Sequence, residues 1–259
     1  NLTLECNDVS NNSALVGWLS TNAGLTATDA CSDLVTWTND FDGNLSDLCS
    51  NTGDVTVVFT ATDECGNITT ESAIYTIEDT TPPVLTCPDN IIIECNDPNQ
   101  VAIMDNWLAL AYAVDECDFD VPVTNEGVFV EACAATGVHT FTFTAVDDCL
   151  NESTCERTIT IVDNTSPFIT SPALDTITEC DPVNVDQLVA WLAGNASATA
   201  EDQCSTVEQL VWQTPQLIRS EQLCGNTLRY TYRFMVADDC GNLSASTVAS
   251  FTIVDTTVP

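Results

Sequence analysis

The sequence predicts an all-β protein of three tandem sandwich domains, each with a short helix after its first strand and each stapled by disulfide bonds. Three observations lead to this prediction. The chain of 259 residues repeats an ordered set of short phrases three times. Apolar and polar residues alternate as they do in half-buried strands. Fourteen cysteines are spread over the whole length, which indicates bridges in every repeat.

The repeat is defined by phrases that return in the same order. ECND begins at Glu5 and Glu94, and ECDP begins at Glu179. Later in each repeat come FTATDECGN (59–67), FTAVDDCLN (143–151) and FMVADDCGN (234–242), each with two acidic residues before a cysteine. A strand-like segment and a Thr/Pro tail close each repeat. These boundaries predict domains over residues 1–81, 82–165 and 166–259, the first with a truncated first strand.

Each repeat has the pattern of short strands with one helix. The segment GDVTVVFTATD (53–63) alternates between two faces, which predicts a half-buried strand. Short strands with turn clusters between them favour an immunoglobulin-like sandwich. The helices are expected in NSALVGWLS, QVAIMDNWLALA and NVDQLVAWLAG, the last with Asn184 as N-cap and Gly194 as its stop. Their Trp18, Trp107 and Trp191 are expected to pack on the sandwich, in preference to binding a ligand.

The charge excludes two classes of partner. Asp and Glu number 39 against four basic residues, for a net charge of −35, and all four basic residues are arginine. Nucleic acid and anionic membranes would be repelled by this charge. A hydrophobic content of 44% argues against the disorder that such acidity otherwise suggests.

The cysteines indicate an extracellular or cell-surface location. No C-x-x-C pair occurs, so disulfides in an oxidising compartment are favoured over zinc or iron–sulfur sites. No apolar run is long enough to cross a bilayer, and no membrane insertion is expected. The chain begins inside a strand-like segment, as expected for a mature product or for a fragment of a longer array.

Strand direction predicts which cysteines meet. In a sandwich the cysteine after the first strand and the cysteine before the long FTATD-type strand lie at the same end of the domain, which we call the lower end. The two cysteines that follow acidic loops lie at the upper end. The predicted pairs are Cys6–Cys49, Cys31–Cys65, Cys95–Cys133, Cys117–Cys149, Cys180–Cys224 and Cys204–Cys240.

Several phrases resemble a known family. LTCPDN from Leu85, AVDDCLN from Ala145 and STCERTITIVD from Ser153 look like the hyalin repeat, an immunoglobulin-like module. The ATDxCGN and DTTPP phrases are similar to phrases in the repeats of tandem-repeat surface proteins of Bacteroidetes bacteria. The resemblance implies a Cys87–Cys155 bridge, a secreted or bacterial cell-surface protein, and O-glycosylation at Thr80, Thr176 and Thr256.

The repeated acidic residues predict calcium sites. The upper end of each repeat gathers two acidic loops, and the tail of the preceding repeat adds an aspartate at the junction, as between cadherin domains. Calcium takes six to eight oxygen ligands, and a cluster of carboxylates supplies such ligands. The alternative is that these residues are acidic side chains of solvent-exposed loops. The predicted ligands are Asp29, Asp63, Glu64, Asp79, Asp115, Glu116, Asp147, Asp148, Asp163, Glu201, Asp202, Asp238, Asp239 and Asp255.

These features favour a structural protein. The only histidine is His139, and no nucleophile or phosphate-binding motif occurs, so no enzyme is expected. The favoured function is that of a calcium-stiffened rod in a surface filament, stalk or matrix fibre. Its expected partners are other copies of itself or neighbouring repeats of a longer chain. The alternative is an adhesin that binds a surface glycan or protein through exposed loops, with Arg219 and Arg229 nearby.

Overall fold

A computed structural model describes residues 1–8, 10–225 and 227–258. Strands predominate in it. In chain order they are β1 (Leu2–Glu5), β2 (Val35–Asn39), β3 (Gly53–Asp63), β4 (Ile68–Glu78), β5 (Val84–Thr86), β6 (Ile91–Glu94), β7 (Tyr112–Val114), β8 (Val123–Glu131), β9 (Gly137–Val146), β10 (Glu152–Val162), β11 (Phe168–Ser171), β12 (Thr176–Glu179), β13 (Thr199–Glu201), β14 (Val211–Trp212), β15 (Gln216–Gln222), β16 (Leu228–Phe234), β17 (Val236–Ala237) and β18 (Thr247–Val254). The α-helices are α1 (Asn11–Ser20), α2 (Gln100–Leu108) and α3 (Asn184–Ala193), with short 3₁₀ turns at Asn22–Gly24, Asn195–Ser197 and Val207–Gln209. No helix among the described residues combines the length and the apolar character that a membrane crossing requires.

Three four-stranded sheets share one strand order. They run β1-β4-β3-β2, β6-β10-β9-β8 and β12-β18-β16-β15. In each, the short first strand pairs in parallel with the last one, as in the register of Leu2 with Tyr75, Ile91 with Ile159 and Thr176 with Phe251. Two-stranded ribbons add to this pattern, with β5 on β7 and β11 on β13. The all-β, immunoglobulin-like fold class is confirmed, whereas the count of three domains stays a prediction.

The chain divides into two compact units. The first comprises residues 1–88, 107–126 and 141–157, and the second comprises residues 89–106, 127–140 and 158–259. Each unit holds one of the two acidic sites.

In the first unit, helix α1 closes one core over the β3–β4 hairpin. Alternation along β3 buries Val57, Phe59 and Ala61, and Tyr75 of β4 is fully buried beside them. Trp18 of α1 meets the rings of Phe59 and Tyr75 at centroid distances of 5.4 and 5.6 Å. Burying each of these large side chains stabilises the fold by roughly 1.5–3 kcal/mol. The apolar residues therefore alternate with polar ones along β3, and this alternation predicted the strand.

The tryptophans of the other two helices also pack in cores, as predicted. Trp107 lies 5.5 Å from the ring of Phe141 in the first unit. In the second unit Trp191 lies 5.5 Å from Phe234 and donates its ring N–H to Leu174 O.

The predicted end of helix α3 is confirmed and its predicted start is wrong. Gly194 is the C-cap, and its N–H donates to Ala190 O. Asn184 is the first helical residue, and Val183 is the N-cap. The Asn184 side chain does not cap the helix, because its oxygen accepts the N–H of Asp181 and its amide donates to Glu179 O.

Candidate metal centres

Four of the five disulfides in the described part of the chain join different repeats. Cys6 is bonded to Cys117 and Cys49 to Cys149 in the first unit. Cys95 is bonded to Cys204 and Cys133 to Cys240 in the second unit. The fifth, Cys87–Cys155, lies within one repeat and matches the bond that the family resemblance implies.

The pairing predicted within each repeat is therefore wrong. Cys6–Cys49, Cys95–Cys133, Cys117–Cys149 and Cys204–Cys240 are replaced by bonds to the neighbouring repeat, and Cys31, Cys65, Cys180 and Cys224 are free thiols. The predicted ends were right: lower cysteines of one repeat meet upper cysteines of the next. Strand direction assigns an end to a cysteine, but it does not say which repeat supplies the partner at that end.

The repeated acidic phrase forms one hydrogen-bonded loop. In FTAVDDCLN, the Asp147 carboxylate accepts the backbone N–H of Asn151 at 2.9 Å and its side-chain N–H at 2.9 Å. In FMVADDCGN, Asp238 accepts the same two groups of Asn242 at 2.8 and 2.9 Å. The asparagine at the end of the phrase therefore fixes the orientation of the aspartate.

The same asparagines connect each loop to the preceding tail. The side-chain amide of Asn151 donates to Asp79 O at 3.2 Å, and that of Asn242 donates to Asp163 O at 3.0 Å. These bonds place the tail aspartate against the loop aspartate in both units.

The tail aspartates are buried and incompletely hydrogen-bonded. Asp79 is 7% exposed and Asp163 is 8% exposed. In each, Oδ1 accepts the N–H of the threonine two residues on. In each, Oδ2 is buried and accepts no hydrogen bond from the described part of the chain. A buried carboxylate oxygen without a partner is costly, so these two oxygens point to a missing ligand.

Other carboxylates lie close to these oxygens. In the second unit Asp163, Asp202 and Asp238 offer oxygens that are all within 4.8 Å of one another. In the first unit oxygens of Asp79 and Asp147 lie within 4.8 Å of each other and of the Cys149 sulfur, which is committed to its disulfide. Two unit charges at that distance repel by about 3 kcal/mol at an effective dielectric constant of about 20.

The charge at the first site shifts the Asp79 pKa. Burial raises the pKa of the Asp79 carboxyl, the negative charges of Asp115, Asp147 and Glu5 raise it further, and the Thr81 N–H opposes them. Arg219 and Arg229 form ion pairs with Glu221 instead of with these carboxylates.

Some predicted ligands lie outside these groups. Among the described residues, Asp115, Glu116, Asp148, Glu201 and Asp239 belong to neither carboxylate group. Asp239 accepts the N–H of Ala134 at 2.9 Å, which ties it to the turn that carries Cys133. Asp115 and Asp202 each accept the N–H of the cysteine two residues on, so their second oxygens remain for a ligand.

Asp118 was not among the ligands predicted from the sequence. This residue is 6% exposed, and its carboxylate accepts the N–H of Asp148 at 3.0 Å. Ser32 has the corresponding role towards Glu64 in the first repeat, at 3.2 Å. The sequence feature that marks this position is a polar residue directly after the first upper cysteine of each repeat: Ser32, Asp118 and Ser205.

Among the described residues, none of the remaining predicted ligands belongs to such a group. These ligands are Asp29, Asp63, Glu64 and Asp255. Asp63 accepts the backbone and side-chain N–H groups of Asn67 at 2.8 Å, and the Asn67 amide lowers the pKa of the Asp63 carboxyl. Asp29 accepts the N–H of Cys31 at 2.7 Å. Asp255 accepts the N–H of Thr257 at 3.1 Å, as the other tail aspartates do with their threonines. No described residue brings a tail aspartate to Asp63.

The tail threonines are hydrogen-bonded to glutamates. Thr80 donates its hydroxyl and its N–H to Glu5, and Thr256 does the same to Glu179, at 2.9 and 2.7 Å. Thr176 lies in β12 opposite Phe251. O-glycosylation at these three residues stays a prediction.

Comparison with known proteins assigns no family. No family model matches the chain, and no curated protein matches it, so the hyalin-repeat resemblance stays a prediction. The chain is similar to the human desmocollin-1 ectodomain, at 11% identity over 90% of this chain and 57% of that one, with a TM-score of 0.32. Extracellular cadherin domains 1–5 of protocadherin gamma B2 match at 12% identity over 86% of this chain and 53% of that one, with a TM-score of 0.34. Domains 1–4 of Drosophila N-cadherin match at 10% identity over 81% of this chain and 59% of that one, with a TM-score of 0.32.

The chain thus spans little more than half the length of these cadherin structures. At such TM-scores the likeness supports no assignment of fold or function. Strand order and the disulfides define the class: an all-β protein of immunoglobulin-like sheets whose successive repeats are cross-linked beside clustered carboxylates.

Proposed function

We propose that the two carboxylate groups bind calcium and that the chain is a non-enzymatic, extracellular structural protein. The observation that carries this proposal is the pair of buried, unpartnered Oδ2 atoms of Asp79 and Asp163. They occupy corresponding positions in two units, each beside a loop aspartate. A divalent cation there neutralises the mutual repulsion and supplies the missing partner.

The donor set suits a hard cation. Asp163, Asp202 and Asp238 offer carboxylate oxygens in the second unit, and Asp79, Asp115 and Asp147 are the counterparts in the first. Calcium accepts such oxygens in flexible geometry and completes its shell with carbonyls and water, whereas magnesium demands a stricter octahedron. The nearby cysteines are no ligands, because disulfide sulfur has no thiolate to offer.

Bound calcium would stiffen the connection between repeats. Each site combines loop carboxylates with the tail of the preceding repeat, and two disulfides cross the same connection. Such joints suit an extracellular or bacterial cell-surface array that serves as a filament, stalk or matrix fibre. Other copies of the chain, or neighbouring repeats of a longer one, are its expected partners.

Calorimetric titration of the metal-free chain with calcium tests this function. We expect two bound ions per chain, and Asp147→Asn should weaken one of them while leaving the other unchanged. A chain that binds no calcium, or that binds it only through diffuse surface acids with no effect of Asp147→Asn, contradicts the proposal.

A second candidate is an adhesin, which the edge strand β15 favours. Leu217 and Ile218 on this strand are 51% and 46% exposed. Arg219 beside them pairs with Glu221, which also lies 3.9 Å from Arg229. An exposed apolar edge strand can accept a partner strand, and the arginines could recognise acidic groups of a glycan. Glycan-array binding that disappears in an Arg219→Ala/Arg229→Ala variant would support this function, and binding that persists would place the ligand elsewhere.

A further inference from the structure

Four exposed cysteines are left over from the disulfide pattern of the described residues. They are Cys31 and Cys65 in the first unit, and Cys180 and Cys224 in the second. Each corresponds in local structure to cysteines that are bonded elsewhere in the chain. This correspondence identifies the partner that each of them lacks.

Cys31 and Cys65 have the geometry of upper cysteines. The N–H of Cys31 donates to Asp29 at 2.7 Å, as Cys117 donates to Asp115 at 2.7 Å and Cys204 to Asp202 at 2.8 Å. Cys65 lies in the loop that Asp63 and Asn67 close, which matches the loops of Cys149 and Cys240.

Cys180 and Cys224 have the geometry of lower cysteines. The N–H of Cys180 donates to Val254 O at 2.7 Å, as Cys6 donates to Glu78 O at 2.9 Å and Cys95 to Val162 O at 2.8 Å. The N–H of Cys224 donates to Thr227 Oγ1 at 3.0 Å, as Cys49 does to Thr52 at 3.1 Å and Cys133 to Thr136 at 3.2 Å.

One pairing rule holds at both internal connections. The lower cysteine after the first strand bonds the upper cysteine after the first acidic loop, in Cys6–Cys117 and Cys95–Cys204. The lower cysteine before the long strand bonds the upper cysteine of the repeated phrase, in Cys49–Cys149 and Cys133–Cys240. The leftover thiols contain one member of each type, so they complement one another.

We propose that Cys180 and Cys224 of one copy form disulfides with Cys31 and Cys65, respectively, of a second copy. This inference rests on the proposed structural function and specifies how copies are joined. A second copy is the partner because it carries both missing cysteines in the local geometry that the internal connections use. Repetition of the contact produces a covalent head-to-tail chain.

The carboxylates of the two surfaces complement each other as well. Asp255 accepts the N–H of Thr257 as Asp79 accepts that of Thr81. Asp29 and Asp63 line an open groove together with Asn67, and the charges of their counterparts Asp115 and Asp147 act on Asp79. In the assembly Asp255 takes the place beside Asp63 that Asp79 has beside Asp147, and the Asn67 amide is available for its carbonyl.

Each intermolecular bond forms by thiol–disulfide exchange with a low-molecular-weight or protein disulfide. A thiolate of one copy attacks the oxidant disulfide, and a mixed disulfide forms as one oxidant thiol leaves. The thiolate of the second copy then displaces the other oxidant thiol. Two protons and two electrons leave the protein cysteines, and the oxidant is reduced to two thiols.

Two complementary variants of the full chain test this pairing. Cys31→Ser/Cys65→Ser lacks the upper thiols, and Cys180→Ser/Cys224→Ser lacks the lower ones. All four cysteines are exposed, so circular dichroism should be unchanged. In a glutathione redox buffer with calcium, wild type should give a ladder on non-reducing gels, and each variant alone should stay monomeric. An equimolar mixture should stop at the dimer, with Cys31–Cys180 and Cys65–Cys224 peptides.

Two results would overturn the pairing. Wild-type monomers with internal Cys31–Cys65 and Cys180–Cys224 bonds would overturn it, as would ladders from either variant alone. The proposed calcium function is read separately, by titrating the Cys180→Ser/Cys224→Ser variant, whose internal sites are intact. A four-serine variant that assembles reversibly with calcium, together with a wild type that forms no covalent ladder, would retain the array and reject the disulfides. A covalent wild-type ladder without calcium binding would retain the disulfides and reject the calcium sites.

Discussion

Cys6 is bonded to Cys117, 111 residues further along the chain, with their Cα atoms 5.9 Å apart. Asp79 lies beside this bond, since one of its oxygens is within 4.8 Å of both sulfur atoms. The covalent link and the acidic site therefore occupy the same connection between repeats, and the second unit repeats the arrangement with Cys95, Cys204 and Asp163.

Peptide mapping under non-reducing conditions should recover this connectivity. We expect linked peptides that contain Cys6 with Cys117 and Cys49 with Cys149, because those cysteines are adjacent in the fold. Samples must be alkylated at acidic pH so that thiols do not exchange during digestion. Recovery of Cys6–Cys49 peptides would show instead that each repeat is closed on itself.

Replacing the second tail aspartate should remove one calcium site. Asp163→Asn deletes a charge from a buried oxygen that has no other partner, and we expect a loss of roughly tenfold or more in affinity at that site, equivalent to about 1.4 kcal/mol. Asp186→Asn is the control, because Asp186 is an exposed residue in the first turn of α3 and removes the same charge. Equal calorimetric losses in both variants would mean that net charge alone attracts the ion.

Two glycines should respond oppositely to alanine. A Cβ at Gly53 would collide with the backbone carbonyl oxygen of Ser46, whereas a Cβ at Gly17 in α1 meets no atom within 4 Å. Gly53→Ala should cost about 1–3 kcal/mol in the free energy of unfolding, and Gly17→Ala should add about 0.5–1 kcal/mol. Denaturant titration measures both, and a neutral Gly53→Ala would show that the loop at Ser46 moves freely.

Stability should fall at alkaline pH because of Tyr75. Burial and then the charge of Asp8 raise the pKa of its phenol, and its hydroxyl donates to Asn11 O at 2.9 Å. Above pH 10 the unfolded chain loses this proton while the folded chain keeps it, so the free energy of unfolding decreases as pH rises. Tyr75→Phe should flatten that slope and cost about 1 kcal/mol at neutral pH.

The control for this pH dependence is Tyr112→Phe. Tyr112 is 55% exposed, so its loss should leave the alkaline slope as it is in the wild type. Denaturant titrations at pH 8, 9, 10 and 11 compare the three proteins. Parallel slopes in wild type and Tyr75→Phe would assign the alkaline loss to other groups, such as the half-buried phenol of Tyr232, whose pKa desolvation also raises.

The parts of the fold with local signals were predictable. Alternation along 53–63 identified β3, and the helical pattern of NVDQLVAWLAG identified α3, because both patterns follow from backbone periodicity. The meeting of Asp79 with Asp147 and of Asp163 with Asp238 was predictable because a repeated phrase occupies the same place in each repeat. Strand direction then set which tail faces which loop.

The partner of each cysteine was not predictable from these signals. Cys49 and Cys6 share the lower end, but the upper cysteines of the next repeat reach the same place, and chain distance does not choose between them. Asp118 was missed for a related reason: its carboxylate accepts the N–H of Asp148, 30 residues away, and no local pattern encodes that contact. Both failures concern contacts between residues that are distant in the chain: the disulfides join two repeats, and the Asp118–Asp148 hydrogen bond joins two loops of the second repeat.

Removal of calcium should loosen the acidic loops and leave the sheets intact. In the metal-free chain the repelling carboxylates of Asp79, Asp115 and Asp147 should open the 147–151 loop, whereas the amides of β3 and β4 stay in their ladder. Hydrogen–deuterium exchange in calcium and in chelator measures this, with faster exchange expected at residues 115–118 and 147–151. The disulfides Cys6–Cys117 and Cys49–Cys149 limit the opening, so chelator with reductant should have a larger effect than either alone.

The loop at residues 63–67 is the matched control for this experiment. It has the same aspartate–asparagine hydrogen bonds as 147–151, but none of the described residues brings a tail aspartate to it. Its exchange should therefore be the same in calcium and in chelator when the four free cysteines are blocked and copies stay apart. Equal acceleration of both loops would mean that two loop aspartates suffice for binding, and loss of protection in β3 would make calcium part of the fold itself.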